Sequence, residues 1–454
     1  MNRIAAFVKI VFSVTLLIIV CASMPIDFLT ELESRYNDYT KKYPYVTLSL
    51  SVNQPSYIPG DSVFFSTKYF YEDRQFVKGA HLIRLDVIAQ NGSTAQTVRF
   101  KSTDGIGYNQ FVIRNDIEPG IYKFVAYTDW MRNYGPEAFF QMDVPILGKQ
   151  QIVKLKDTET LVAFYPEGGH LLQGLNNTVL ALGKPNQEII IRDESNMDLI
   201  TLRLNSAGTA LFNLKPEMNK RYFGFLSQDN LKWNLPVVEN DGVAIKLDED
   251  ESRKVLLSIS AKSKYTNQEL FALILSKGKI VLAEEVTFDD NGISGIELPS
   301  RFKSDGFHQL FILDASGKEI AQRVFRPTVS NDVKIKFRVA DNVKQRTRFT
   351  FAFGVLDESD RLVESDLSLS VFQDELFNTQ TASKIGPFDE LPSVQTWANE
   401  HVEDHLPFLN DYLVSKKWDR IDWESVYSNK PPNFRFPFHG QNTITGKVLV
   451  LSLI

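Results

Sequence analysis

Tyr57-Ile58-Pro59-Gly60-Asp61 and, far downstream, Pro119-Gly120-Ile121-Tyr122 are the stretches whose reading decides the fold. In the first, Pro59 fixes φ and Gly60 supplies a turn that a side chain would block. The run from Ser62 to Tyr69 then reads as a strand, rich in aromatic and β-branched residues. The second stretch repeats the device, with a Pro-Gly turn opening onto Ile121-Tyr122-Lys123-Phe124-Val125-Ala126-Tyr127. The two turns delimit one β-sandwich.

Strand signals continue outward from this pair. Val46, Leu48, Leu50 and Val52 alternate with polar residues, as in a strand buried on one face. Leu82 to Ile88 is another, closed by the Asn91-Gly92 turn. Upstream, Phe28, Leu29, Leu32, Tyr36 and Tyr39 recur at helical spacing, so Asp27 to Lys42 reads as a helix capped by Asp27. It is expected to pack on the first sandwich.

A chain of 454 residues is too long for one core and implies three or four domains. With 33 Phe and 16 Tyr, the composition favours sheets, where aromatics fit a pleated surface. The expected division is a signal peptide over 1–22, a leading helix over 23–44 and a first sandwich over 45–148. A second sandwich over 149–241 and a third over 242–328 follow. A partial β domain with a helical insertion and a Pro-rich linker spans 329–440, and 441–454 is the first strand of a further, truncated domain. The second unit contains Phe164-Tyr165-Pro166-Glu167-Gly168-Gly169, whose glycines suit a turn between strands. The third contains the apolar runs Phe271 to Leu275 and Gln309 to Leu313. Asn429 to Pro437 reads, from its prolines, as an extended linker.

Arg3 and Lys9 precede or flank an apolar run, Ile10 to Val20, that is shorter than the roughly 20 residues a membrane span requires. Val20-Cys21-Ala22 supplies small residues for cleavage, so the segment reads as a secretion signal. Cys21 is the single cysteine and a candidate for lipid attachment, although Val20 departs from the Gly, Ala or Ser that normally precedes such a residue. No disulfide can form within the mature chain, so packing must supply stability. The formal charge of −6 becomes more negative when Arg3 and Lys9 leave with the signal. With no long basic run, nucleic acid is excluded as a partner, and membrane contact is expected only through a lipid anchor.

The chain resembles a known family through several of these motifs taken in order. Tyr57-Ile58-Pro59-Gly60-Asp61 and Pro119-Gly120-Ile121-Tyr122 resemble the second macroglobulin domain of alpha-2-macroglobulins, and more closely that of large envelope proteins of Bacteroidota that reuse it. Tyr127-Thr128-Asp129-Trp130-Met131-Arg132-Asn133 and Phe164 to Gly169 are similar to later motifs of those proteins. Leu413 to Trp418 with Trp423-Glu424 is similar to their late helical motif, in degenerate form. The resemblance implies an all-β fold of tandem macroglobulin-like and immunoglobulin-like sandwiches outside the cytoplasm, in the periplasm or at the outer membrane or cell surface. It often precedes a carboxypeptidase-regulatory-like domain, and this chain stops where that domain would begin.

Candidate chemistry is sparse. His401-Val402-Glu403-Asp404-His405 has zinc-compatible spacing but lacks the Glu after the first His that a metalloprotease needs, so a solvated helix turn is the reading. The acidic run Leu247 to Glu251 reads as a solvated linker, not a calcium loop. No nucleophile-base constellation or phosphate loop is present, and no metal or cofactor is expected. The candidate binding residues are Tyr127, Asp129, Trp130, Arg132 and Tyr134, types found both in interface hot spots and in sandwich cores. Arg132 is expected to pair with Asp129 or Glu137.

The expectation is a non-enzymatic envelope scaffold or binding protein. Its partner would be another envelope protein such as an outer-membrane receptor or transporter. The alternatives are a macroglobulin-type protease inhibitor, for which the chain lacks the thioester cysteine, and a carbohydrate-binding surface protein using Trp130 and Tyr134 as a platform.

Overall fold

The computed structural model describes residues 28–148, 162–226, 231–249, 255–298, 306–327, 334–339, 350–357, 359–365, 394 and 406–438. It is an all-β chain of tandem sandwiches with a few short helices. The segment expected to be a signal with Cys21, the Asp27 expected to cap the first helix, the His401–His405 pair and the strand expected from 441 onward lie outside the described residues.

The first sandwich comprises β1 (Val46–Val52), β2 (Ser62–Tyr71), β3 (Ala80–Ile88), β4 (Thr94–Thr103), β5 (Ile106–Val112), β6 (Gly120–Tyr127) and β7 (Phe140–Ile146), in the order β1-β2-β5-β4-β3-β6-β7. β4 and β5 share one pairing, Thr103 with Ile106, so the sheet folds over at that hairpin into two layers. Leu48, Leu50, Val63, Ile83, Leu85, Phe124 and Ile146 fill the space between them. Asp104 and Gly105 turn the corner with positive φ, and a Cβ on Gly105 would lie 2.6 Å from the Tyr69 carbonyl.

The deciding stretch does its work at the open edge of this sandwich. Tyr57 is fully buried; its N–H donates to the Pro145 carbonyl and its carbonyl accepts from Leu147 N–H, tying the segment alongside β7. Gly60 takes φ +94°, and Asp61 closes the turn by accepting from Ile58 N–H at 2.9 Å. Gly120 differs from expectation: it is the first residue of β6 and needs no positive φ. The anchor there is Tyr122, whose buried hydroxyl donates to the Glu118 carbonyl.

The second sandwich contains β8 (Ala163–Pro166), β9 (Leu171–Leu172), β10 (Asn177–Leu182), β11 (Glu188–Asp193), β12 (Asp198–Arg203), β13 (Thr209–Leu214), β14 (Tyr222–Leu226), β15 (Lys232–Asn234) and β16 (Val238–Glu239). Layer β13-β10-β8 faces layer β12-β11-β14-β15, with Phe164 packed where any Cβ on Gly224 would collide. The third has β17 (Gly242–Glu249), β18 (Val255–Lys262), β19 (Leu270–Ser276), β20 (Lys279–Glu285), β21 (Ile293–Glu297), β22 (His308–Asp314) and β23 (Glu319–Phe325), in layers β17-β18-β21 and β20-β19-β22-β23. The acidic run is therefore no linker up to Glu249: Asp248 and Glu249 pair with Leu256 and Val255 inside β17. A hairpin of β24 (Lys334–Val339) and β25 (Phe351–Leu356) follows.

Among the described residues three helices brace the assembly: α1 (Phe28–Lys42), α2 (Leu409–Leu413) and α3 (Trp423–Ser428). α1 does not pack on the first sandwich as expected. Its Leu32, Tyr36 and Tyr39 join Trp418, Trp423 and Val426 in covering Phe271, Leu273, Leu275, Phe311 and Leu313 on the outer face of the third. Phe28 stacks on Phe271 at 4.1 Å, and the Tyr36 hydroxyl donates to the Gly278 carbonyl. Every residue of β19 is consequently buried, because both of its faces are covered.

Candidate functional site at the end of the first sandwich

The chain leaves β6 through Thr128-Asp129 and enters a short 3₁₀ turn, Trp130–Tyr134. The turn is held from inside. Trp130 Nε1 donates to the Pro44 carbonyl at 2.8 Å, Tyr134 Oη donates to the Tyr43 carbonyl at 3.2 Å, and Met131 N–H donates to Thr128 Oγ1. Met131 is fully buried beneath it. Burial pushes the Tyr134 hydroxyl far above the usual phenol range, with the negative potential of Glu72 adding to the rise. It therefore acts as a fixed neutral donor.

The five sequence-selected residues do not form one surface. Tyr127 turns toward the sheet, where it stacks on Phe139 at 4.4 Å and donates to Asp86 Oδ2 at 2.8 Å. Asp86 also accepts from Arg84 and Thr97, so this buried carboxylate is fully satisfied. Burial and then the Asp86 hydrogen bond raise the Tyr127 pKa. Arg132 pairs with Asp129 at 3.1 Å on the exposed side. Trp130 is only 5% exposed and offers no open platform for a sugar ring.

What covers Trp130 is the segment expected to be a linker. Residues 432–438, here termed the strap, bend at Arg435-Phe436 and lie across the 3₁₀ turn. Phe434 sits edge-on to Trp130 at 5.2 Å and to Tyr134 at 5.1 Å, and touches Tyr43. Phe438 also meets Trp130 at 5.2 Å, and lies against His81 and Tyr71. Phe436 carries the Arg132 guanidinium over its ring at 4.2 Å. Asn133 completes the grip: its Oδ1 accepts from Arg435 N–H at 3.0 Å and Phe436 N–H at 2.9 Å, and its Nδ2 donates to the Phe436 carbonyl at 2.7 Å.

Asn133 and the three phenylalanines are the residues that sequence reasoning missed. The available signal was the alternation of Phe434, Phe436 and Phe438, which composition-based reading subordinated to the neighbouring prolines.

Two further contacts join the units. Glu167, from the Phe164–Gly169 turn, accepts from Arg323 Nε at 2.7 Å with both side chains about 3% exposed or less. Leu247 N–H donates to the same carboxylate, and Arg323 Nη2 donates to the Asn410 carbonyl at 2.7 Å. Gly168 must be small here, since a Cβ would lie 3.0 Å from Ile245 N at positive φ. Arg420 reaches from the brace to Glu72 of the first sandwich, with its guanidinium over Trp418 and Tyr45. Among the described residues no cluster of three or more His, Cys, Asp or Glu is placed to hold a metal.

No family model matches the chain, and no curated protein matches it. Similar solved structures include the Escherichia coli alpha-2-macroglobulin activated by porcine elastase, at 11% identity and a TM-score of 0.24 over 69% of this chain and 33% of that one. Salmonella alpha-2-macroglobulin reacted with methylamine gives 11% identity and 0.20 over 69% and 25%. A tetra-tandem repeat from the extending region of a large adhesion protein gives 10% identity and 0.19 over 69% and 88%. The chain thus spans about a third of the first of these proteins. At these scores the likeness says nothing about what the chain does.

Proposed function

We propose that this chain is a non-enzymatic scaffold or binding protein of the cell envelope, in the periplasm or at the outer membrane or cell surface. In this reading it engages an envelope protein such as an outer-membrane receptor or transporter. The observation that carries the reading is an apolar stripe on the outward face of β2 and β5. Phe64 is 51% exposed, Tyr108 75% and Val112 53%, and strand register puts all three on one face. Solvent-facing aromatics gathered on one sheet face suit a protein partner. Contacts from the helical brace and the strap to the first sandwich, Arg420 to Glu72 and Asn133 to Phe436, would present that face in fixed orientation.

The leader-like Ile10 to Val20 run supports an extracytoplasmic location, and among the described residues no helix is long and apolar enough to cross a membrane. The test is crosslinking of a tagged copy in intact envelopes, followed by mass spectrometry of the captured proteins. The reading expects reproducible recovery of one envelope partner, lost when Phe64 and Tyr108 are both changed to Ser. Capture of nothing by a folded, abundant protein would overturn it.

A further inference from the structure

The 3₁₀ turn of the first sandwich has the construction of a ligand site that is already filled. Two ring pockets adjoin Trp130, one lined by Tyr43 and Tyr134 and the other by Tyr71 and His81. The wall of Trp130 and Tyr134 is held without help from the strap, through the bonds of Trp130 to Pro44, Tyr134 to Tyr43 and Met131 to Thr128, and His81 of the other wall is bonded to the Lys78 carbonyl. Asn133 addresses only main-chain atoms of its occupant, two consecutive N–H groups and one carbonyl. That is how proteins read a peptide whose side chains are recognised separately in pockets.

The strap behaves as the peptide in that arrangement. Residues 433, 435 and 437 are exposed while 434, 436 and 438 are partly buried, and it makes no strand pairing with the sandwich. Residues 428–431, which tether it to α3, are all exposed.

We propose that this groove is a peptide-recognition site for unstructured segments carrying aromatic side chains at three alternate positions around a main-chain bend. Residues 432–438 are its built-in occupant, and a free peptide of the same pattern competes with them. The reading is independent of the stripe on β2 and β5, and its test uses purified protein with no envelope partner.

The probe is a fluorescein-labelled synthetic peptide with the sequence of residues 430–438, followed by anisotropy. The receptor is the full chain carrying Phe434→Ala and Phe438→Ala, which vacates both pockets. Binding is expected to be at least about tenfold tighter than to the unaltered chain, and adding Asn133→Ala should remove about tenfold of it. A folded double variant that binds the peptide no better than the unaltered chain would overturn the proposal. Should that variant lose its cooperative melt, a protease site inserted between Asn429 and Pro431 serves instead. After cleavage, excess peptide should release the tail fragment on gel filtration, and retention of the tail under saturating peptide would equally overturn it.

Discussion

Asn133 and Phe436 stand 303 residues apart in the chain and exchange two hydrogen bonds, Phe436 N–H to Asn133 Oδ1 at 2.9 Å and Asn133 Nδ2 to the Phe436 carbonyl at 2.7 Å. A side-chain amide can satisfy both a donor and an acceptor on one main-chain unit, and no hydrophobic residue at 133 could do so. The contact fixes the end of the chain's helical brace to the first sandwich. Asn133→Ala is expected to cost about 1–3 kcal/mol, the range for leaving bonded main-chain groups without partners. Chemical denaturation gives the magnitude. Hydrogen exchange should show Arg435 and Phe436 amides losing protection while β1 and β2 keep theirs.

The Glu167–Arg323 pair makes a sharper energetic prediction. Removing one partner leaves a charge buried beneath three structural units, so Glu167→Ala should destabilise by about 3–5 kcal/mol. The double variant Glu167→Leu with Arg323→Met should cost well below the sum of the two single changes, because no unpaired charge remains. Urea unfolding of the four proteins in a cycle measures this; additive costs would show that the pair is not coupled.

Asp411 links the same junction to pH. Burial pushes its carboxyl up to about 6, with Arg323 opposing the rise and Glu167 adding to it. A folded-state pKa above the unfolded value of about 3.9 means that the folded protein holds the proton more tightly between those values. The contribution of Asp411 to stability therefore falls as pH rises from about 4 to 6, and the full penalty applies above that. Asp411→Asn should stabilise by roughly 1–2 kcal/mol at pH 7 and give no gain near pH 4. Unfolding free energies at the two pH values check the sign.

The helix α1 belongs energetically to the third sandwich. Tyr36→Ala removes a fully buried ring stacked on Trp423 and a hydroxyl bound to the Gly278 carbonyl. The expected cost is about 3–5 kcal/mol, as for other large aromatic truncations. Exchange should accelerate in β19 and β22 and not in β1, which mass spectrometry of peptic fragments resolves.

The sequence carried the local devices clearly and their partners poorly. Pro59-Gly60 told of its turn because left-handed φ leaves few residue choices. The spacing of Leu32, Tyr36 and Tyr39 told of a buried helical face, but an apolar face is equally complementary to any sandwich, and it went to the third. The run Phe271-Ala272-Leu273-Ile274-Leu275 told of a strand, but not of the cover that α1 and the brace place on its outer face, which leaves every residue of β19 buried. The strap was obscured by its prolines. Phe434, Phe436 and Phe438 alternate as a half-buried segment does, yet nothing local names Asn133 as the group that binds the intervening main chain. Likewise Glu167 read as part of a turn, because its partner Arg323 lies 156 residues away.

The brace and strap lock the sandwiches into one body, so that the outward face of β2 and β5 is held in fixed orientation. Calorimetric unfolding of the full chain tests this most directly. A single transition, with calorimetric and van't Hoff enthalpies in agreement, is the predicted result. Separate transitions for the first and third sandwiches would contradict it, and would mean that Arg420–Glu72 and Asn133–Phe436 are contacts without mechanical consequence.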